Sequence, residues 1–206
     1  MLVRRKMASQ MKLTYFGGKG RAEATRLLFK LAGKDFIDCR LTKEEWAEFK
    51  PSTPKEQLPV LEVDGKMICE SNAIARYVAR ELNLYGSSNW EAAVVDMIVD
   101  SCSGIFEQAV HVYLAKTEEE KVEAVKKTAE VLQSTEKLAV QLKKGKFILG
   151  DEASLADTAL YSIIELLQEL QKDLKMDEYP TISELIKNYI EIPAVADWLK
   201  TRPDNK

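Results

Sequence analysis

Along this chain of 206 residues the spacing of apolar side chains changes character near residue 84. Before that point apolar and polar residues alternate in short runs, broken by Gly, Pro and Asp. Residues 12–16 (KLTYF), closed by Gly17-Gly18, predict a first strand. Ala24, Leu27, Leu28 and Leu31 recur at helical spacing over residues 21–32, and Gly33 is a stop signal. Residues 36–41 (FIDCRL) predict a second strand whose alternation is imperfect. Thr42 with Glu45 three residues on is a capping-box pattern, opening a short helix through Trp46 and Phe49 that Pro51 and Pro54 close. Asp64-Gly65 lies between the apolar runs of residues 58–63 and 66–69, which predicts a tight hairpin. Ala73, Ile74, Tyr77, Val78 and Leu82 follow at helical spacing, with Ser71 as the predicted N-cap.

Residues 84–90 (LYGSSNW) are turn-rich, and everything beyond them is helical in pattern. One seam runs Val94, Ile98, Cys102, Ile105, Ala109, Val112. A second runs Val122, Val125, Ala129, Leu132, Thr135, Ala139, Leu142, and a third Ala156, Leu160, Ile163, Leu167, Leu170. Spacings of three and four predict three long amphipathic helices packed as a bundle. Ser154 and Asp157 form a capping-box-like pair before the third, and two shorter helices are predicted over 181–190 and 193–200.

The order βαβ, short helix, ββα implies one parallel crossover plus an antiparallel hairpin, a small mixed sheet of thioredoxin-like type. The predicted class is therefore α/β plus all-α. Residues 12–84 form the thioredoxin-like domain, 85–90 a linker, and 91–206 an all-helical domain, after a disordered extension over 1–11.

Composition narrows the partners. A formal net charge of −3 argues against a broad nucleic-acid surface, and no apolar run approaches the roughly 20 residues of a membrane span. The basic start MLVRRKMASQ lacks an apolar core and does not read as a secretory signal. Cys39, Cys69 and Cys102 are widely spaced and odd in number, which favours a reducing, cytoplasmic setting. There is no CxxC and no metal-ligand spacing, so neither dithiol redox chemistry nor a metal is expected. GGKGRA (17–22) has the spacing of neither a Walker loop nor a dinucleotide fingerprint. His111 is the only histidine, which leaves one candidate base, deep in the helical half.

What remains is a juxtaposition. Pro59 cannot donate to a sheet ladder, and it stands a few residues before a helix start at Glu70-Ser71. A helix N-terminus is a seat for a carboxylate, although Ser71 read alone is a simple cap. Together they suggest an extended, charged ligand along a sheet edge. Tyr15, at the end of the first strand, reads either as a half-buried aromatic or as a phenol aimed at that ligand. Arg21 opens the next helix, and Trp46 and Lys50 lie four apart on one helical face.

KLTYFGGKGRAEATRLLFKLAG (12–33), EQLPVLEVDGKMICESNAIARYVAREL (56–82) and IPAVADWLKTRP (192–203) together resemble a glutathione transferase of the sigma class. The resemblance spans residues 12 to about 203 and implies the same two-domain fold. It implies that Pro59 is cis and turns the backbone of Leu58 toward glutathione, which pairs like an added strand. Ser71 and the helix N-terminus would take the γ-glutamyl carboxylate, flanked by Gln57 and Glu70, and Trp46 with Lys50 would take the glycyl carboxylate. Tyr15 would donate its O–H to the glutathione sulfur as the catalytic residue, with Arg21 adding positive potential. The family usually has Gln where this chain has Glu70. It also contributes an Asp across a homodimer, for which Asp100 matches best and Asp96, one turn earlier, is the alternative. Phe106, His111 and Tyr113 are candidate walls for an electrophile, with core packing as the other reading. The implied activity is conjugation of the glutathione thiolate to electrophilic small molecules, with peroxide reduction and prostaglandin isomerisation as activities the family allows. The implied co-substrate is glutathione, without a metal. A structural, crystallin-like or interaction role on the same fold is the alternative.

Overall fold

The computed structural model describes residues 10–203. Its first strand is β1 (Met11–Phe16), and Lys43–Phe49 forms the short helix α2 with the Thr42–Glu45 capping box in place. Between them lie α1 (Glu23–Leu31), entered through a 3-10 turn at Gly20–Ala22, and β2 (Ile37–Leu41). The hairpin is β3 (Val60–Val63) and β4 (Lys66–Cys69), followed by α3 (Ser71–Glu81). The sheet order is β2-β1-β3-β4, with β1 and β2 parallel and the other pairs antiparallel. The crossover through α1 makes β1 and β2 parallel neighbours.

Three local expectations are corrected. Met11 is buried in β1, so the expected extension ends sooner, and residues 1–9 lie outside the described residues. The strand predicted from residue 58 begins at Val60, because Pro59 has no N–H to offer its neighbour. Ser71 is the first residue of α3 rather than its cap. The cap position is Glu70, at φ 70° and ψ 112°, with no side-chain capping bond.

The helical half comprises α4 (Asn89–Leu114), α5 (Glu118–Leu142), α6 (Leu155–Leu170), α7 (Pro180–Ile190) and α8 (Pro193–Thr201). Ser88 caps α4, which takes up Asn89 and Trp90, the last two residues of the predicted linker. The first seam is buried as predicted. In α5 the buried stripe is Ala124, Thr128, Leu132, Thr135 and Ala139, while Val122 and Val125 are exposed. Small residues at 124 and 128 give α5 a narrow buried stripe there, so the stripe runs beside the two valines. Asp157 completes the predicted capping box, accepting from Ser154 N at 2.9 Å, and its second oxygen takes Ile148 N at 3.0 Å.

One continuous core runs from Leu13, Phe29 and Ile74 of the sheet domain to Ile98, Leu160 and Leu167 of the bundle. Leu27 of α1 packs in a second cluster with Trp198 of α8, so the end of the chain returns to the first helix. Among the described residues no helix is long and apolar enough to cross a membrane.

Candidate active site

Two hollows share the walls Arg21 and Ser71. The first, of about 470 Å³, is lined by Tyr15, Arg21, Trp46, Gln57, Pro59 and Ser71 among others, with Leu58, Glu56 and Glu70 also on its walls. The strand ends, the loop before β3 and the start of α3 converge there, so residues far apart in sequence become neighbours. The Leu58–Pro59 peptide is cis. The N-terminus of α3 opens onto the hollow at Ser71, where first-turn N–H groups have no partner within the helix.

Tyr15 is half-buried, its hydroxyl oxygen accepting from the Arg21 backbone N–H at 3.3 Å. That contact uses an oxygen lone pair and leaves the O–H proton to donate elsewhere. The Tyr15 ring meets Phe16 edge-on at 5.6 Å, and Phe16 in turn meets Trp46 at 6.2 Å, so an aromatic chain lines one side. Lys50 is not a wall of the hollow. It is exposed, 3.8 Å from Glu56, which is a wall.

Glu70 is exposed and ion-paired with Lys55, a residue that sequence reasoning missed. The hydrogen bond and charge of Lys55 hold the Glu70 carboxyl below the usual carboxylate range. Fifteen residues separate the two, across a loop and a hairpin, and no periodic signal links them. On α4, Asp96 and Asp100 both meet Arg76 of α3 within the same chain. Partial burial works against Asp96, but hydrogen bonds from Tyr85 (2.6 Å) and Arg76 (2.5 Å) outweigh it and lower its pKa. Asp100 has its side chain 69% exposed.

The second hollow, of about 240 Å³, lies between the domains. Val99, Cys102, Ser103 and Phe106 of α4 face Ala159, Ser162, Ile163 and Leu166 of α6, two stripes of the same i, i+3, i+4, i+7 spacing. The Arg21 guanidinium lies 4.1 Å over the Phe106 ring. Asn72 Nδ2 donates to Ser103 Oγ at 2.7 Å, a second link across the cleft. Burial pushes the Cys102 thiol far up, so it stays protonated and is no nucleophile. Of the α6 stripe only Ile163 belongs to the apolar seam read in the sequence; Ala159, Ser162 and Leu166 lie beside that seam and were missed.

Of the three wall candidates, the fold brings only Phe106 to the cleft. His111 lines a different hollow with Gln108 and Glu120, between α4 and α5. Five residues past Phe106 it points about 140° round the helix. Tyr113 shares the Phe106 face but sits two turns, about 10 Å, further along, and is 74% exposed. Among the described residues no group of three or more His, Cys, Asp or Glu could hold a metal ion.

A four-stranded mixed sheet with a hollow at its strand ends, packed against a helical bundle with a second hollow between the two, defines a two-domain protein whose first domain is thioredoxin-like. The chain belongs to the glutathione S-transferase family. The model of the family's N-terminal domain matches residues 11–80 and that of its C-terminal domain residues 104–202. The chain is 35% identical to S-crystallin SL11 of Nototodarus sloanii over 197 residues, 92% of this chain and 95% of that one. It is 36% identical to hematopoietic prostaglandin D synthase of Gallus gallus over 197 residues, covering 93% and 96%. The solved Nu-class GST of Haemonchus contortus superposes with a TM-score of 0.84 at 33% identity, over 96% of this chain and 99% of that one.

Proposed function

We propose that this glutathione transferase lays glutathione along the hollow beside Leu58–Pro59 and activates its sulfur with Tyr15. The observation that carries the reading is the convergence of the Tyr15 hydroxyl, the cis Leu58–Pro59 peptide and the Ser71 helix start around one hollow. In it the γ-glutamyl carboxylate sits at Ser71 and the α3 N-terminus, beside Gln57. Glu70 faces the ammonium from the same chain, joined across the homodimer by the helix-α4 carboxylate at Asp100, with Asp96 as the alternative, and Trp46 with Lys50 takes the glycyl carboxylate. Glutathione's peptide pairs with Leu58 as an added strand. The electrophile enters the second hollow against Phe106. A bond then forms between sulfur and the electrophilic atom while the leaving group departs, the thiol proton having gone to solvent.

Tyr15 supplies a hydrogen bond that favours the charged form of the thiol. Lowering a thiol pKa from about 8.5 by roughly two units corresponds to about 2.7 kcal/mol, enough to make the thiolate abundant at neutral pH. We assign the chain to the sigma class, on its likeness to S-crystallin and prostaglandin D synthase, as a cytoplasmic homodimer. The three free cysteines favour a reducing compartment.

The test is Tyr15→Phe. The conjugation rate should fall and the pH midpoint of activity should rise, with glutathione affinity nearly intact. An unchanged pH–rate profile rejects Tyr15 as the thiolate partner. Absence of turnover in folded, dimeric wild-type protein would favour the structural, crystallin-like role instead.

A further inference from the structure

The turn after Tyr15 is rich in glycine: Gly17, Gly18 and Gly20 surround Lys19, the one long side chain, which ion-pairs with Glu165 and Glu169 of α6. Glycine has the most backbone freedom to lose, so such a turn must be held from outside. Three successive carbonyls are each taken by a guanidinium. Arg26 donates from Nη2 to Phe16 O at 3.3 Å and from Nη1 to Gly18 O at 2.8 Å. Arg40 donates from Nη1 to Gly17 O at 2.5 Å. Asp38 stands between the two arginines, accepting from Arg26 Nε at 3.0 Å and from Arg40 Nε at 2.9 Å.

Asp38 and Arg40 are two apart on β2 and share a face, and the parallel register puts Arg40 opposite Tyr15. Arg26 is fully buried, with Glu23 at 3.3 Å as a further charge partner, and lies 5.9 Å from the Tyr15 ring centroid. A buried ion pair is seldom the best way to gain stability, since well-packed apolar side chains often do as well. What a planar, forked cation adds is directional grip on carbonyl oxygens. The grip falls on the segment whose far end carries the Arg21 N–H on the Tyr15 hydroxyl.

We propose that Arg26 and Arg40, oriented by Asp38, are positioning residues that pin this turn by its carbonyls and so fix where the Tyr15 hydroxyl meets the thiolate. The inference rests on Tyr15 being the thiolate partner. Neither arginine touches substrate; each acts through the backbone of residues 16–18.

Arg40 is the residue to change, because its side chain is 18% exposed whereas that of Arg26 is wholly buried. Arg40→Met keeps the stem, removes the donor to Gly17 and leaves Asp38 to Arg26. Measured together with Tyr15→Phe are kcat, KM for glutathione and the pH midpoint of kcat/KM, with thermal melting as the check on folding. Arg40→Met should lower kcat about tenfold and raise the midpoint, with KM for glutathione within about twofold, since a displacement near 1 Å at a reacting group can cost up to about 100-fold. Arg40→Lys should recover part of the loss. If Tyr15→Phe moves the midpoint and folded Arg40→Met does not, the clamp is overturned while Tyr15 stands. If Tyr15→Phe leaves the midpoint in place, the Tyr15 reading fails and the clamp falls with it. Should Arg40→Met fail to fold, Arg40→Lys carries the test: a smaller shift in the same direction is expected, and wild-type kcat and midpoint overturn the proposal.

Discussion

One methyl group at Gly20 tests the geometry around Tyr15. Gly20 has φ +41°, and a Cβ built there would lie 2.6 Å from the Tyr15 hydroxyl oxygen and 3.1 and 3.2 Å from two ring carbons. A comfortable carbon–oxygen contact is about 3.4 Å, so Gly20→Ala must displace the hydroxyl or the turn by ~0.8 Å. Since a shift of about 1 Å can cost on the order of 100-fold, kcat should fall by roughly ten- to a hundredfold, or about 1.4–2.7 kcal/mol. The substitution also forces alanine into the left-handed region, at about 1–2 kcal/mol. For a chain of this size that lowers Tm by about 2–8 °C. Gly33→Ala separates the two effects. Its φ is +59° and no atom lies within 4 Å of the added Cβ, so it carries the backbone penalty without the contact. It should lose similar stability and keep its kcat. The assay is steady-state conjugation of chlorodinitrobenzene at saturating glutathione, beside thermal melts of both variants. A Gly20→Ala enzyme as fast as Gly33→Ala, within about twofold, refutes the reasoning.

Two further perturbations address charge. Lys55 keeps the Glu70 carboxyl below its ordinary pKa, and the ammonium of glutathione would share that exposed carboxylate with Lys55. Glu70→Gln should therefore weaken glutathione binding, although Gln is the residue usual in the family; tighter binding in a calorimetric titration would show that the charge is a liability. For Glu165, burial would raise the pKa, but Arg202, helped by Tyr161 and Lys19, outweighs it and depresses the value below 4.5. A depressed carboxylate pKa contributes stability that is present above the unfolded value and lost as pH falls through the folded one. Tm should thus drop on acidification below about pH 4.5, and Arg202→Met should flatten that limb. An acid limb as steep in the variant would remove Glu165 from the account.

The elements that were legible in sequence are those whose signals are local. Thr42 with Glu45, Asp64-Gly65 and Ser154 with Asp157 each act within a few residues, and each forms the cap or turn its spacing predicts. Errors arise where the backbone takes an uncommon conformation or a partner is remote. Ser71 has the residue type of a cap, but the backbone at Glu70 turns to positive φ and makes Ser71 the first helical residue. Most of the candidate site rests on likeness to a family, since Tyr15, Pro59 and Ser71 meet only after three strands and two helices are assembled. Tyr113 shows the limit of helical spacing, which gives an angle round the axis without saying where the cleft ends, whereas His111 is off the Phe106 face by that angle alone.

The irregularity of FIDCRL was itself informative. Its inward positions Asp38 and Arg40 would be apolar in an ordinary strand, and the structure uses them to hold the Gly17-Gly18 turn. Arg26 carries the same kind of signal, a charge on the helix face shared with buried Ala22 and Phe29. Glu23 repeats it, buried beside Leu27, and there it accepts from Trp198 Nε1 and from Arg202, each at 2.9 Å. A charged residue at a core position cannot stay unpaired, because leaving it so costs several kcal/mol. Each such residue therefore predicts an opposite charge or a set of carbonyls arriving from elsewhere in the chain. In this protein those partners tie the turn beside Tyr15 to β2 and tie α1 to the end of α8.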